Sequence, residues 1–263
     1  MFHWKTNPEV IEYCMFMSSN VSPKSKTKRT SLSVVMPAYN EEGVIEEVVR
    51  SFCKEVLERF DAPEFIVVND ASTDATPRIL AKLAYPYLKV ITHGKNRGHG
   101  PSLMDGLHAA SGAYVFCADS DRQIQPQEFW LLWEAMQKQH GDVVTGFRKK
   151  RKDSVHRFFI SKVLRIVTFL LFAVSLRDIN CPFKLYRRDA LHTILNMVPR
   201  NALLPSVCMM VSAHELKLRV LEVPVTHYPR KTGKSFARYW KIIALCWQAT
   251  KELLMLKRTM RKR

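Results

Sequence analysis

The regular alternation of short strand-like runs with helix-like segments constrains this chain more than any other feature. The runs LSVVMPA (32–38), EFIVVND (64–70), LKVITH (88–93), AYVFCAD (113–119) and DVVTGF (142–147) are apolar and rich in β-branched residues. Between them, 42–59, 75–84, 99–110 and 127–138 have helix-like spacing. Strands alternating with helices predict an α/β fold with a largely parallel central sheet flanked by helices. Ligands in such folds bind beyond the carboxyl ends of the strands. The polar clusters fall there: Tyr39-Asn40-Glu41, Asn69-Asp70, and Asp119 to Gln123.

The second half is less regular. Residues 154–176 read as a long helix, basic at its start and apolar after Arg165. FKLYRR (183–188) reads as a short strand, 190–196 and 203–216 as helices, and LRVLEVPVTHYP (218–229) as another strand. A helix from about Phe236 carries the chain into a basic tail, KRTMRKR. Residues 1–30, ending in SPKSKTKRT, have no period and read as a mobile basic arm.

Composition limits the function classes. The 263 residues include 47% hydrophobic ones, enough for a sizeable core, and the formal net charge is +17. Such a charge implies an anionic partner: nucleic acid, an anionic membrane surface or a phosphorylated ligand. Six cysteines form no CxxC pair, and several sit in apolar runs, which points to buried thiols in a reducing compartment. The N-terminus lacks the basic and apolar blocks of a signal peptide. The longest apolar run, Ile166 to Leu176, is shorter than the roughly 20 residues that span a bilayer. The expectation is a cytoplasmic protein that touches a membrane from one face only.

Asp119, Asp121 and Gln123 share one side of an extended chain, because i, i+2 and i+4 do. Two close carboxylates repel unless a cation compensates them, and Mg²⁺ or Mn²⁺ prefers oxygen ligands. The alternative is a solvated turn with an aspartate helix cap. Familiar nucleotide loops are absent: Gly98-His99-Gly100 continues to Leu103 instead of glycine, and no GxxxxGK[ST] occurs. VPVTHYPRKTGKS (223–235) places Arg230, Lys231, Lys234 and Ser235 around Gly233, which suits a phosphate or a solvated basic turn. In the run Arg148 to Lys152, Arg148 is expected to point inward and the others to face an anionic surface. From Tyr239 to Met260, Trp240, Trp247 and leucines separate from Lys and Arg, as in an interfacial helix or an ordinary packed one.

MPAYNEE, VVNDASTDAT, NRGHGPSLMDGLHAASG, ADSDRQ, DINCPFKLYRRDAL and VPVTHYPRKTGKS, in this order, resemble inverting family 2 glycosyltransferases of the GT-A fold. The subgroup they resemble most is the polyprenyl-phosphate glycosyltransferases, similar to dolichyl-phosphate mannosyltransferase. The resemblance covers roughly 31–250 and implies a GT-A domain over 31–235. Residues 236–263 would form an amphipathic membrane-surface helix and basic tail.

The resemblance also implies roles. Pro37, Tyr39 and Glu41 would line the nucleotide pocket, and Asp70 would read the base. Asp119, Asp121 and Gln123 match the DxDxQ pattern that holds Mg²⁺ or Mn²⁺ on the donor diphosphate, with Asp119 also touching the donor. Asp121, Arg148 and Arg230 would carry the chemistry, and Arg148, Arg230 and Ser235 would engage phosphates. The chain departs from the pattern at Arg122, usually apolar, at Asn69 and Ala71, where Asp and Gly are frequent, and at Lys184, often Arg.

The implied partners are a nucleotide-sugar donor of the GDP-mannose or UDP-glucose type, a dolichyl or undecaprenyl phosphate acceptor, and an anionic membrane surface. A membrane-anchored partner subunit is also compatible. A different acceptor, a glycolipid or saccharide, is the alternative within the family. A nucleic-acid-binding protein would explain the charge but not three polar clusters at strand ends, and no regular aromatic–basic interleaving occurs.

Overall fold

The structure is a computed structural model that describes residues 30–149, 155–228 and 239–261. The arm 1–29 and the segment 229–238, which carries Arg230 and Ser235, lie outside the described residues, as does the side chain of Trp240.

Strands β1 (Ser31–Ala38), β2 (Ala62–Asn69), β3 (Leu88–Thr92), β4 (Tyr114–Cys117), β5 (Val143–Arg148), β6 (Lys184–Arg187) and β7 (Val220–Val225) form one sheet. Its order is β3-β2-β1-β4-β6-β5-β7. Every neighbouring pair is parallel except those made by β6, which runs antiparallel to both β4 and β5. The helices are α1 (Ile45–Glu55), α2 (Thr76–Ala81), α3 (His99–Ala109), α4 (Phe129–Gln139), α5 (Val155–Phe172), α6 (Arg188–Leu195), α7 (Pro205–Glu215) and α8 (Tyr239–Arg261). The expected α/β architecture is therefore observed, with element ends moved by a few residues.

Period-two alternation splits the core into two layers. In β1, Leu32, Val34 and Met36 enter one layer, with Phe52, Phe65, Phe116, Phe129 and Trp133. Val35 enters the other, with Leu103, Tyr186, Met209 and Leu253. Helix α1 shows how the sequence specifies its own docking. Ile45, Val48, Val49, Phe52 and Cys53 are buried at helical spacing, while Glu46, Glu47 and Arg50 stay outside. Burying each such large apolar side chain contributes about 1.5–3 kcal/mol.

The reversed strand β6 has a direct consequence for function. Its first residue, Lys184, lies opposite Cys117 of β4 and Thr145 of β5. Because β6 is antiparallel, the loop before it, not the loop after it, meets the carboxyl ends of the other strands. The segment Asp178–Phe183 thereby joins the ligand edge.

Four cysteines, Cys53, Cys117, Cys181 and Cys208, are buried and free, as their apolar surroundings predict. Burial pushes the Cys117 thiol up to about 12 and the Cys181 thiol up to about 11. Helix α8 buries Ala249 and packs Leu253 and Leu256 into the second layer, so one of its faces is ordinary core. Among the described residues, no helix is long and apolar enough to cross a membrane.

Candidate active site

The ends of β1 and β2 are bound together by short polar side chains. Asn40, in a left-handed conformation with φ 52°, accepts the Thr73 N–H on Oδ1 at 2.8 Å, and its own N–H donates to Ser72 Oγ at 3.0 Å. The Glu41 N–H donates to Thr76 Oγ1 at 2.9 Å, and the Glu42 N–H to Asp74 Oδ2 at 3.1 Å. The Ala75 N–H returns to Glu42 Oε2 at 2.8 Å. Pro37 is the penultimate residue of β1, just before this network; Tyr39 is exposed and Glu41 is buried. Ala71 takes φ 55°, a conformation that suits glycine, which explains why glycine is frequent at this position of the pattern.

Asp70 is buried and already engaged. Its Oδ1 accepts the Arg97 N–H at 2.8 Å and lies 2.7 Å from His93 Nδ1, and its Oδ2 accepts the Gly98 N–H at 2.7 Å. Burial opposes its ionisation. The bonds from His93, Arg97 and Gly98 outweigh that and hold its pKa below the ordinary carboxylate value. Asp70 thus locks the turn before α3 onto β2, where Gly98 adopts φ 89°.

Beyond β4, a cleft is lined by Asp119, Asp121, Gln123, Arg148, Phe183 and His227. The residues chosen from spacing alone do converge. Asp121 Oδ1 accepts the Gln123 N–H at 3.0 Å, closing a tight turn through Arg122, whose φ is 61°. Arg122 reaches back to pair with Glu47 on α1. The Gln123 side-chain amide donates from Nε2 to the Tyr228 carbonyl at 3.3 Å. His99 Nε2 lies 3.0 Å from Asp119 Oδ1. Burial opposes the charged form of Asp119, but His99, Arg148 and Lys184 keep its pKa lowered. Although the His99 side chain is exposed, partial desolvation at the cleft opposes its charged form, and Asp119, Asp121 and Asp70 outweigh this and raise its pKa above the usual value.

Arg148 lines the cleft, as expected, but it is not isolated. Its Nε donates to Asp178 Oδ2 at 2.6 Å and its Nη2 to Asp178 Oδ1 at 3.0 Å. The side chains are only 10% and 6% exposed. This bidentate pair holds the guanidinium plane in one orientation. Below it lies Lys184, buried, donating to the backbone carbonyls of Ile179 and Cys181. Burial pushes its ammonium pKa down.

The donor set fits a hard divalent cation: two carboxylates and an amide oxygen, with Asp119 ionised. Among the described residues, no group of three or more His, Cys, Asp or Glu side chains is arranged to hold a metal ion by itself. The protein therefore offers a partial ligand set, and the diphosphate would have to supply further oxygens. His99, Asp178 and His227 were not singled out for the site from the sequence, and Lys184 was noted only as a departure from the family pattern. His99 sits in NRGHG and Asp178 in DINCPFK, so the only local signal was their place beside strand ends.

The family model described as "Glycosyl transferase family 2" matches residues 33–195. The chain belongs to glycosyl transferase family 2. The match spans β1 through α6, so it contains the DxDxQ turn, Arg148 and Asp178 of this family 2 chain.

Curated relatives include the undecaprenyl-phosphate 4-deoxy-4-formamido-L-arabinose transferase of Salmonella choleraesuis (strain SC-B67). It is 27% identical over 219 residues, covering 82% of this chain and 65% of the relative. The enzyme of the same name from Pseudomonas fluorescens (strain Pf0-1) is 29% identical over 211 residues, covering 78% and 59%. The chain thus spans less than two thirds of the length of these relatives. Among solved structures, glucosyl-3-phosphoglycerate synthase from Mycobacterium tuberculosis with phosphoglyceric acid aligns with TM-score 0.67 at 20% identity, covering 90% of this chain and 85% of that one. The same synthase with Mn²⁺, UDP and glucosyl-3-phosphoglycerate gives TM-score 0.67 at 19% identity, with the same coverage. At that identity the likeness carries the fold alone, and the fold is GT-A.

Proposed function

We propose that this chain moves one sugar from a nucleotide-sugar, of the GDP-mannose or UDP-glucose type, to a dolichyl or undecaprenyl phosphate with inversion. The observation that carries the reading is the convergence of Asp119, Asp121 and Gln123 with Arg148 in one cleft at the carboxyl edge of the sheet. The names of the curated relatives support the acceptor class.

In this reading Pro37, Tyr39, Glu41 and Asp70 form the nucleotide pocket, and Asp119 and Asp121 with Gln123 face the diphosphate. Mg²⁺ or Mn²⁺ bound there would neutralise the charge that develops on the leaving diphosphate. Arg148 is preorganised by Asp178 and adds a fixed positive charge beside the same phosphates without reorganising during the reaction. Arg230 and Ser235, outside the described residues, would complete the phosphate contacts. The acceptor is a phosphomonoester with a second pKa near about 6, so it is largely dianionic at neutral pH. It attacks the anomeric carbon through a phosphate oxygen as the bond to the diphosphate oxygen breaks, and in-line displacement inverts that carbon. No general base is needed.

The acceptor phosphate sits at a bilayer surface, so the cleft must open toward lipid. Exposed apolar side chains on two packed helices support this: Phe169 (56% exposed) and Leu170 (73%) on α5, and Trp247 (62%) on α8. Arg165, Lys251 and Arg258 are exposed on the same helices. Apolar and basic groups together suit an anionic membrane surface, and the proposed location is peripheral, at the cytoplasmic face. A membrane-anchored partner subunit is the other occupant these faces could take. Lys257, expected in the free basic tail, instead donates to the Leu171 carbonyl and lies over the Phe172 ring, 5.7 Å from its centroid.

The test is a screen of radiolabelled UDP- and GDP-sugars with Mn²⁺ and vesicles containing undecaprenyl or dolichyl phosphate. Label is expected in the lipid extract. Transfer confined to a glycolipid or a soluble saccharide would replace the acceptor, and no transfer from any nucleotide-sugar would overturn the reading.

A further inference from the structure

The contact between His99 and Asp119 has no role in the chemistry above. His99 is the first residue of α3, and it comes to Asp119 from a different strand–helix unit. Asp119 Oδ1 is the atom it holds, at 3.0 Å. A carboxylate fixed through one oxygen presents the other in a single direction, and a carboxylate free to rotate must lose that freedom when it takes a metal.

His99 is itself held from both sides. On one side, Asp70 accepts the N–H groups of Arg97 and Gly98 and fixes the turn that precedes it. On the other, Gly100 packs directly against backbone: a Cβ at this position would lie 2.1 Å from the Ala202 carbonyl oxygen. The Ala202–Leu204 loop therefore abuts the first turn of α3. That loop is clamped in turn by Glu252 of α8, whose two carboxylate oxygens accept the Leu203 N–H at 2.8 Å and the Leu204 N–H at 3.1 Å. The contacts form an unbroken path from the C-terminal helix to the DxDxQ turn.

We propose that His99 is a positioning residue for Asp119, and that Glu252 braces it from α8 through the Ala202–Leu204 loop and Gly100. The inference rests on the glycosyltransferase reading of the cleft. Partners that orient metal ligands typically govern 10–100-fold in affinity, so the effect is measurable.

The test is calorimetric titration of Mn²⁺ into the full-length chain in the presence of UDP and, separately, GDP. His99→Ala should weaken Mn²⁺ binding by about tenfold, with melting temperature unchanged because its side chain is exposed. His99→Gln, which keeps a donor, should recover most of the loss. Turnover of His99→Ala should return toward the wild-type value at saturating Mn²⁺, which a general packing defect would not allow. Glu252→Ala should weaken Mn²⁺ binding about threefold, and the double variant should be no weaker than His99→Ala alone, because the brace acts through the histidine. Unchanged Mn²⁺ affinity in His99→Ala, or a loss that excess Mn²⁺ does not rescue, would overturn the positioning role. Additive losses would overturn the brace. Should the wild type bind no Mn²⁺ with either nucleotide, the reading of the cleft as a metal-assisted donor site fails first, and the inference falls with it.

Discussion

The two sides of the cleft are built on different principles. On the side proposed for the donor, the loops after β1, β2 and β3 are cross-linked by short polar side chains: Asn40 to Ser72 and Thr73, Glu42 to Asp74 and Ala75, Asp70 to Arg97 and Gly98. Each of these bonds runs from a backbone N–H to a side-chain oxygen, so the loops satisfy one another without a ligand. On the side proposed for the acceptor, the Arg148–Asp178 ion pair holds part of the cleft wall, and helices α5 and α8 leave apolar side chains exposed. A small polar donor needs a pocket shaped in advance. A lipid-bound acceptor needs a surface that is completed only when its environment arrives. In the proposed reading, preorganisation and incompleteness coexist in one sheet because they serve different partners.

The strongest way to break this contrast is to remove a carboxylate proposed to face the metal. Asp121→Ala should lower turnover by on the order of 10²–10³, comparable to deleting a preorganised electrostatic group. Chelator should reproduce the loss, and circular dichroism should show an intact fold. Near-normal, metal-independent turnover would make the acidic turn structural.

Asp178→Ala tests whether the acceptor side really depends on its ion pair. Leaving the Arg148 charge uncompensated should cost about 3 kcal/mol, because both partners are nearly buried. That is roughly a 6 °C or greater fall in melting temperature for a chain of this size. Turnover should fall as well, since Arg148 loses its fixed plane. A variant with wild-type stability and activity would show that the pair organises nothing.

Phe169→Glu with Leu170→Glu probes the exposed face. Each apolar side chain withdrawn from a lipid interface removes part of about 1.5–3 kcal/mol. Binding to anionic vesicles in flotation assays should drop at least about tenfold, while the melting temperature stays near that of the wild type because the positions are exposed. Unaltered vesicle binding would assign this face to a partner protein.

The smallest expected effect sharpens the donor side. Ala71→Gly should stabilise by about 0.5–1 kcal/mol, the relief of a left-handed alanine less the entropy that glycine adds to the unfolded chain. Thermal melts resolve the resulting shift of about 2 °C. Destabilisation would mean that the Ala71 methyl group packs usefully at the loop junction.

Most of the fold was legible in the sequence because its signals are local. Alternation of strand and helix periods located every strand to within a few residues. The i, i+2, i+4 geometry grouped Asp119, Asp121 and Gln123 before any contact was known, and all three line the cleft. Arg148 was placed inward by its position just after an apolar strand, and it is there. The donor-side loops, by contrast, showed their polar residues but not their bonding. Asp70 stands out in VVND, yet nothing adjacent reveals that its oxygens are taken by the N–H groups of Arg97 and Gly98.

What the sequence by itself determined is the set of elements, their burial and the edge at which polar side chains gather, since each follows from spacing within a few residues. Only the tertiary structure decided that β6 is reversed, so that Asp178–Phe183 reaches the ligand edge. It likewise decided that Asp178 holds Arg148, that His99 meets Asp119, and that Glu252 of α8 caps the Leu203–Leu204 N–H groups. The physical reason is the same in each case. These partners lie 20 or more residues apart with no period linking them, and strand order and direction alone bring them within hydrogen-bond distance.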